Sequence, residues 1–233
     1  MDIQPLFTAD QHSAEPDHEF VMTTILNGID DPYGALRTAL SILMRGLPVI
    51  FPTETVYGIG AHAFNPQAVR RVFDAKSRPL NNPMTIHLAH PNDVVAYARD
   101  IPPLYYTLAR AFMPGPLTSI IRRSQYVPDI VTAGGSSVGI RVPDHDFALA
   151  LLERSGGLVG SSANIAGKPA PSSAGEALEQ LGGRVPAMVD CGPARHGLAS
   201  TIVDLTSEPP RILREGVITR EMLEEVGDCE FRV

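Results

Sequence analysis

PTETVYGIG, running from Pro52 to Gly60, decides how this chain is read. The residues before it, Pro48 to Phe51, form an apolar run of strand length. After it come Thr53, Glu54 and Thr55, then Tyr57 and two glycines, so hydroxyls, a carboxylate and a phenol crowd into a few positions. Strand ends are where α/β folds bind ligands, and loops on a rigid scaffold carry function more often than core does. The stretch is therefore expected to be a buried strand opening into a ligand loop.

The flanking sequence supplies the scaffold. Upstream, Asp31-Pro32 is a cap followed by proline at the first helical position. Leu36, Ala39, Leu40 and Leu43 continue at helical spacing to Gly46, where a terminating glycine belongs. Downstream, Asn65-Pro66 starts a helix with Val69, Val72 and Phe73 as its buried stripe, ending near Lys76. Met84 to Ala89 alternates, with Met84, Ile86 and Leu88 on one face and Thr85, His87 and Ala89 on the other. Helical stretches are expected around Asp93–Arg99 and Leu104–Phe112, then strands at Thr118–Arg122 and Val138–Val142. A helix from Asp144 to Ser155 and a strand at Leu158–Ser161 follow. Ser173 with Glu176 reads as a capping box for a helix to Leu181. Short strands at Ala187–Asp190, Thr201–Leu205 and Arg211–Arg214 precede a last helix from Thr219. Strands and helices interleave without long linkers or repeats, which predicts one α/β domain with a mixed sheet over residues 20–233. Residues 1–19 read as a polar extension.

Composition narrows the class. The 233 residues are 44% apolar and 19% charged, with a formal net charge of −7. That describes an ordinary soluble protein with enough chain for a core, and it argues against broad nucleic-acid binding. The two cysteines, Cys191 and Cys229, have no zinc-site spacing and suit a reducing cytoplasm. No apolar run is long enough to span a membrane, and the N-terminus has neither a basic start nor an apolar segment of the signal-peptide kind.

Three further clusters bear on chemistry. Arg70, Arg71, Lys76 and Arg78 bring four cations into nine residues, opposed by Asp74. Cations at a helix C-terminus are ordinarily a solvated end. Here a Pro-Leu-Asn-Asn-Pro turn and a strand carrying His87 follow, and Lys, Arg, Asn and His meeting at one sheet end would make a phosphate site. Gly160-Ser-Ser-Ala-Asn164 again sets hydroxyls and an amide past a strand, as an Asx- or Ser-stabilised turn also would. Arg141, Ser200 and Arg214 repeat the theme at other strand ends. Nucleotide signatures of other kinds fail: Gly167-Lys168 precedes a proline, and Gly58-x-Gly60-x-x-Ala63 opens no helix until Asn65.

Taken in order, PTETVYGIGAHAF, KSRP with NNPMTIH, FMPGPLT, VGIRVPDH, SSAN, STIVDL and ILREG resemble the YrdC-type threonylcarbamoyl-adenylate synthases, over roughly Gly46 to Gly216. The resemblance is to the short form, without an additional C-terminal domain. It implies a twisted mixed sheet flanked by helices around a concave, positively charged cavity. It also implies a reaction of L-threonine, bicarbonate or CO2, and ATP with Mg2+, giving threonylcarbamoyl-AMP and pyrophosphate for tRNA modification. By motif, Lys76, Arg78, Ser162 and Asn164 are the catalytic tetrad. Thr55, His87, Arg141 and Ser200 would hold threonine. Arg78, Asn82, Ser162, Asn164 and Arg214 would hold ATP, with backbone help near Val138 and Gly160; no protein metal ligands are implied. Ala170 stands where relatives often carry serine. Glu54 is either a site group or a loop-structuring acceptor. The implied partners are a threonylcarbamoyl-transferring protein complex and a direct tRNA contact, in the cytoplasm; an RNA-binding module of the same fold is the alternative.

Overall fold

The computed structural model describes residues 22–233. The extension expected at 1–19 lies outside the described residues. Ten strands form one mixed sheet. In chain order they are β1 (Thr24–Asn27), β2 (Val49–Phe51), β3 (Gly58–His62), β4 (Thr85–His87), β5 (Leu117–Arg122), β6 (Ser137–Arg141), β7 (Leu158–Ser162), β8 (Ala187–Asp190), β9 (Thr201–Asp204) and β10 (Arg211–Arg214). Across the sheet they run β1-β8-β2-β3-β7-β4-β6-β5-β9-β10. The pairs β1–β8, β8–β2, β4–β6 and β5–β9 are parallel. The others are antiparallel.

The helices begin where side chains can satisfy free N–H groups. In α1 (Pro32–Met44) the Asp31 carboxylate accepts from the Gly34 amide at 2.9 Å. In α2 (Pro66–Ala75) the Asn65 side chain accepts from the Ala68 amide at 3.0 Å. The remaining helices are α3 (Pro103–Phe112), α4 (Asp129–Thr132), α5 (Asp146–Ser155), α6 (Ala174–Leu181) and α7 (Arg220–Gly227).

Several expectations shift. The helix expected around Asp93–Arg99 is a 3-10 turn, Pro91–Ala96, capped by His90. The helix expected from Asp144 starts at Asp146, because His145 Nδ1 accepts from the Phe147 amide at 3.2 Å and takes the capping position. The capping box is also displaced. The Ser173 hydroxyl accepts from the Glu176 amide at 3.3 Å, but the Glu176 carboxylate reaches back to the Ser172 amide at 2.7 Å. The largest change is at Gly58–His62, expected as loop and found as β3, paired antiparallel with β2 and β7. Gly60 lets it lie in the sheet: a Cβ there would meet the Phe51 ring at 2.9 Å and the Val159 carbonyl oxygen at 2.7 Å.

Alternation along the strands gives the sheet two unlike faces. One face carries Ile50, Ile59, Ile86, Ile140, Val159 and Val203 and is packed by α2, α3, α4, α6 and α7 through Val72, Phe73, Leu108, Val131, Leu181 and Leu223. The opposite face is covered only in part. There Val49, Phe51, Leu158 and Val189 pack against Leu36, Ala39 and Leu43 of α1 and Phe147, Leu151 and Leu152 of α5. Beyond β7 neither helix reaches, and the face lies against a cavity. Among the described residues no helix is long and apolar enough to cross a membrane.

Candidate functional site

The uncovered part of that face floors a cavity of about 300 Å3. Register brings its residues together from separate strands. Thr85 and His87 on β4 stand opposite Gly139 and Arg141 on β6, and Thr85 stands opposite Gly160 on β7. Gly58 pairs with Ser162, and Thr118 with Ile202. The expected site at strand ends is therefore spread over the sheet face. A hollow of about 640 Å3 beside α1 is larger, but Tyr33, Leu36, Leu40 and Met44 line it with three helix-surface arginines. Convergence of polar groups from many segments, not volume, marks the site.

The loop of PTETVYGIG is knotted by its own hydroxyls. Thr53 Oγ1 donates to the Val56 carbonyl oxygen at 2.6 Å and lies 2.9 Å from Thr55 Oγ1. Thr55 is fully buried, and its hydroxyl accepts from Arg141 Nη2 at 2.7 Å. The same Nη2 donates to Glu54 Oε1 at 2.8 Å, an ion pair with side-chain exposures of only 7% and 0%. Glu54 Oε2 is buried with no hydrogen-bond partner among the described residues. Glu54 thus acts as the loop's acceptor for Arg141. Thr53 lines the cavity; Thr55 stands behind Arg141.

Two other arginines reach the cavity, each braced by carbonyl groups. Arg78 donates from Nε to the Asn82 carbonyl oxygen at 3.2 Å and from Nη2 to the Pro83 carbonyl oxygen at 2.8 Å. Arg214 donates from Nε to the Ser200 carbonyl oxygen at 3.0 Å and from Nη2 to the Ser200 hydroxyl at 3.2 Å. That hydroxyl lies 2.9 Å from Thr118 Oγ1, linking β5, β10 and the segment before β9.

Lys76 goes elsewhere. It caps α2, and Ser77, at φ +49, turns the chain so that Lys76 and Arg78 diverge. Only 1% exposed, Lys76 donates from Nζ to the carbonyl oxygens of Ser162 and of Asn164, the latter at 2.7 Å. Burial, and then the nearby Arg78 charge, push its pKa down to about 7. Asn164 donates from Nδ2 to the carbonyl oxygens of Ile165 and Lys168, both at 2.8 Å, and so folds the loop after β7. Lysine and asparagine here hold the backbone that carries Ser162.

His87 is deeply buried, and burial followed by the Arg141 charge holds its pKa down to about 3. The imidazole is neutral at physiological pH. It lies across Gly160, where a Cβ would meet the ring at 2.6–2.7 Å. Burial also lowers the pKa of Arg78, and burial with the Arg141 charge lowers that of Arg214.

Of the residues singled out from sequence, Arg78, His87, Arg141, Gly160, Ser162, Ser200 and Arg214 line this one cavity. Thr55, Lys76 and Asn164 stand behind it. Asn82 contributes its carbonyl to Arg78, and the Val138 side chain packs into the core on the far face. Thr53, Thr85, Thr118, Ser161 and Ile202 line the cavity and were not singled out as site residues. Thr85 was within reach, since the alternation puts it beside His87. Ala170 is also in the lining, so the position that often carries serine faces the site.

Fold and site define an α/β protein with an arginine-lined ligand cavity on the open face of its sheet. A family profile covering Sua5, YciO and YrdC proteins, described as telomere recombination, matches residues 41–216. The chain belongs to this family. Threonylcarbamoyl-AMP synthase of Pyrococcus abyssi is 43% identical over 192 residues, 82% of this chain and 56% of that protein. The Bacillus subtilis threonylcarbamoyl-AMP synthase is 39% identical over 209 residues, 89% of this chain and 60% of that protein. The crystal structure of P. abyssi Sua5 complexed with L-threonine superposes with a TM-score of 0.85 at 40% identity, covering 90% of this chain and 63% of that one. The chain therefore spans 56% to 60% of the length of these two curated relatives. Escherichia coli YciO, at 22% identity and a TM-score of 0.76, shares the fold.

Proposed function

We propose that this chain carries the active site of an L-threonylcarbamoyladenylate synthase, which joins L-threonine, bicarbonate or CO2, and ATP into threonylcarbamoyl-AMP and pyrophosphate. The observation that carries this reading is the convergence of Arg78, Arg141 and Arg214 with His87, Ser162 and Ser200 in one cavity. Three guanidiniums suit a carboxylate and a polyphosphate together. The names of the P. abyssi and B. subtilis relatives, and the threonine complex of P. abyssi Sua5, support the same substrates.

In the proposed sequence, the threonine amine first adds to bicarbonate or CO2 to give a carbamate. A carbamate oxygen then attacks the α-phosphorus of ATP in line, and pyrophosphate leaves. Positioning and charge stabilisation do the work in such a transfer. Arg141, oriented by Glu54 and Thr55, takes the threonine carboxylate. His87 and Ser200 flank it. Arg78 and Arg214 take phosphates, and Ser162 meets the nucleotide from a loop fixed by Lys76 and Asn164. Removing one of the cavity arginines is expected to cost about 10²–10³ in rate, the scale of losing a preorganised electrostatic donor.

Mg2+ is expected with ATP, but the lining offers it no carboxylate, and the described residues contain no group of three or more His, Cys, Asp or Glu able to hold a metal ion. The nucleotide phosphates and water would carry it, and no step here is assigned to it. The product would pass, in the cytoplasm, to a protein complex that transfers the threonylcarbamoyl group to tRNA; direct contact of this chain with tRNA belongs to the same proposal.

The test is mass-spectrometric detection of the adenylate after incubation with ATP, threonine and bicarbonate. The expected product requires all three, and Lys76→Ala lowers its yield through the displaced Ser162 loop. A wild-type protein that binds RNA and makes no adenylate would sink the enzyme reading in favour of an RNA-binding module.

A further inference from the structure

The proposed reaction needs the amino acid as a free amine, because an ammonium has no lone pair to offer carbon. In water at neutral pH the α-ammonium keeps its proton. The cavity is built against that ammonium. Arg78, Arg141 and Arg214 line it, and no aspartate or glutamate does. Glu54, paired with the lining Arg141, is buried and does not itself line the cavity. Lys76 adds another cation behind Ser162. His145, which feels the Glu54 charge, and the exposed Arg195–Asp144 pair lie outside the lining. His87 offers the amine a neutral ring and no negative charge.

We propose that this cavity binds its amino acid as a carboxylate bearing a neutral amine, and releases the ammonium proton to solvent on binding. The inference rests on the threonine reading above and extends it to the protonation state the site selects. The N–H bond breaks with its electron pair left on nitrogen, and the proton passes to bulk water. That pair then forms the C–N bond to bicarbonate. One C–O bond breaks, and the departing hydroxide takes a second amine proton as water. The resulting carbamate carries two carboxylate charges among three guanidiniums, so the lining favours the product of this step over the ammonium form.

Titration calorimetry on the full chain with L-threonine, without ATP, tests this. Two buffers of different ionisation enthalpy are needed, neither of them phosphate, which would compete for the arginines. At pH 7 about one proton should appear in the buffer per threonine bound, and affinity should tighten about tenfold per pH unit between pH 6 and 8. Lys76 titrates in that range, but an arriving anion would make it take up a proton, the opposite sign. (R)-3-Hydroxybutanoate, which has the carboxylate and the hydroxyl in the configuration of threonine but no amine, should release no proton to the buffer on binding. Threonine bound with a buffer-independent heat and a flat pH dependence overturns the inference and leaves the threonine reading standing. Proton release with hydroxybutanoate overturns it too, since the proton would then come from the protein. No threonine binding at any pH removes the threonine reading itself.

Discussion

From β8 to the start of β7, one face of the sheet presents Val49, Phe51, Leu158 and Val189 and is covered by α1 and α5. From β4 to β9, the same face presents Thr85, His87, Arg141 and Thr118 and is left open as the cavity floor. Backbone pleat and strand spacing are shared by the two halves; the alternate side chains are not. In the closed half, burial of apolar surface holds the helices on. In the open half, buried polar groups pair with one another, as the Glu54–Arg141 pair, the Thr53–Thr55 hydroxyls and the Ser200–Thr118–Arg214 network do, while Glu54 Oε2 and His87 Nδ1 have no partner among the described residues. One face thus serves both as core and as site, with the boundary along β7 between Leu158 and Gly160.

The sharpest way to break this contrast is to strip a partner from the open half. Glu54→Ala would leave the Arg141 charge buried and unpaired, and chemical denaturation should show a loss of about 3–5 kcal/mol. Glu54→Gln, which keeps an acceptor, should lose less. Leu151→Ala in the closed half should cost about 2–5 kcal/mol by creating a cavity, with adenylate formation per folded molecule unchanged. A fall in turnover beyond the loss of folded protein would mean that the covered half takes part in the chemistry. Gly160→Ala tests the boundary, since its Cβ must push the His87 ring aside. Overpacking of this kind costs about 1–3 kcal/mol, and here the displaced ring should also raise KM for threonine more than it lowers kcat.

Much of this division is legible in the sequence. The Met84–Ala89 alternation puts Ile86 and His87 on opposite faces, and the structure has Ile86 in the core and His87 at the cavity. The helix starts at Asp31-Pro32 and Asn65-Pro66 were readable because capping is a local interaction. What escaped depends on neighbours distant in sequence. Gly58-Ile-Gly reads as loop by propensity, and only the opposing Phe51 ring and Val159 carbonyl explain why the strand needs glycine at position 60. Thr85 and Thr118 look like ordinary β-branched strand residues until register sets them beside Gly139. Lys76 and Arg78 read as one cationic cluster. Their separation depends on the Ser77 turn and on a loop some ninety positions away, neither of which spacing encodes.

That separation leads to the smallest effect, a slope with pH. Burial holds the Lys76 pKa near 7 in the folded protein, against an ordinary 10.5. Between those values the unfolded chain binds more protons at this position than the native state does, so stability rises with pH. Below about pH 7 the lysine is charged in both states and its contribution is flat. The slope from this one group approaches about 1.4 kcal/mol per pH unit. The usable window is about pH 7 to 9: above the ordinary thiol value of 9.0, Cys191, pushed up by burial to about 11, contributes with the opposite sign. Lys168 is the only other lysine in the chain. Denaturation midpoints measured across that window should therefore climb for the wild type and stay level for Lys76→Met, whatever the offset between them. Parallel curves would mean that the ammonium is not held in the carbonyl cage of Ser162 and Asn164, and Lys76 would return to the cavity as a second cation beside Arg78.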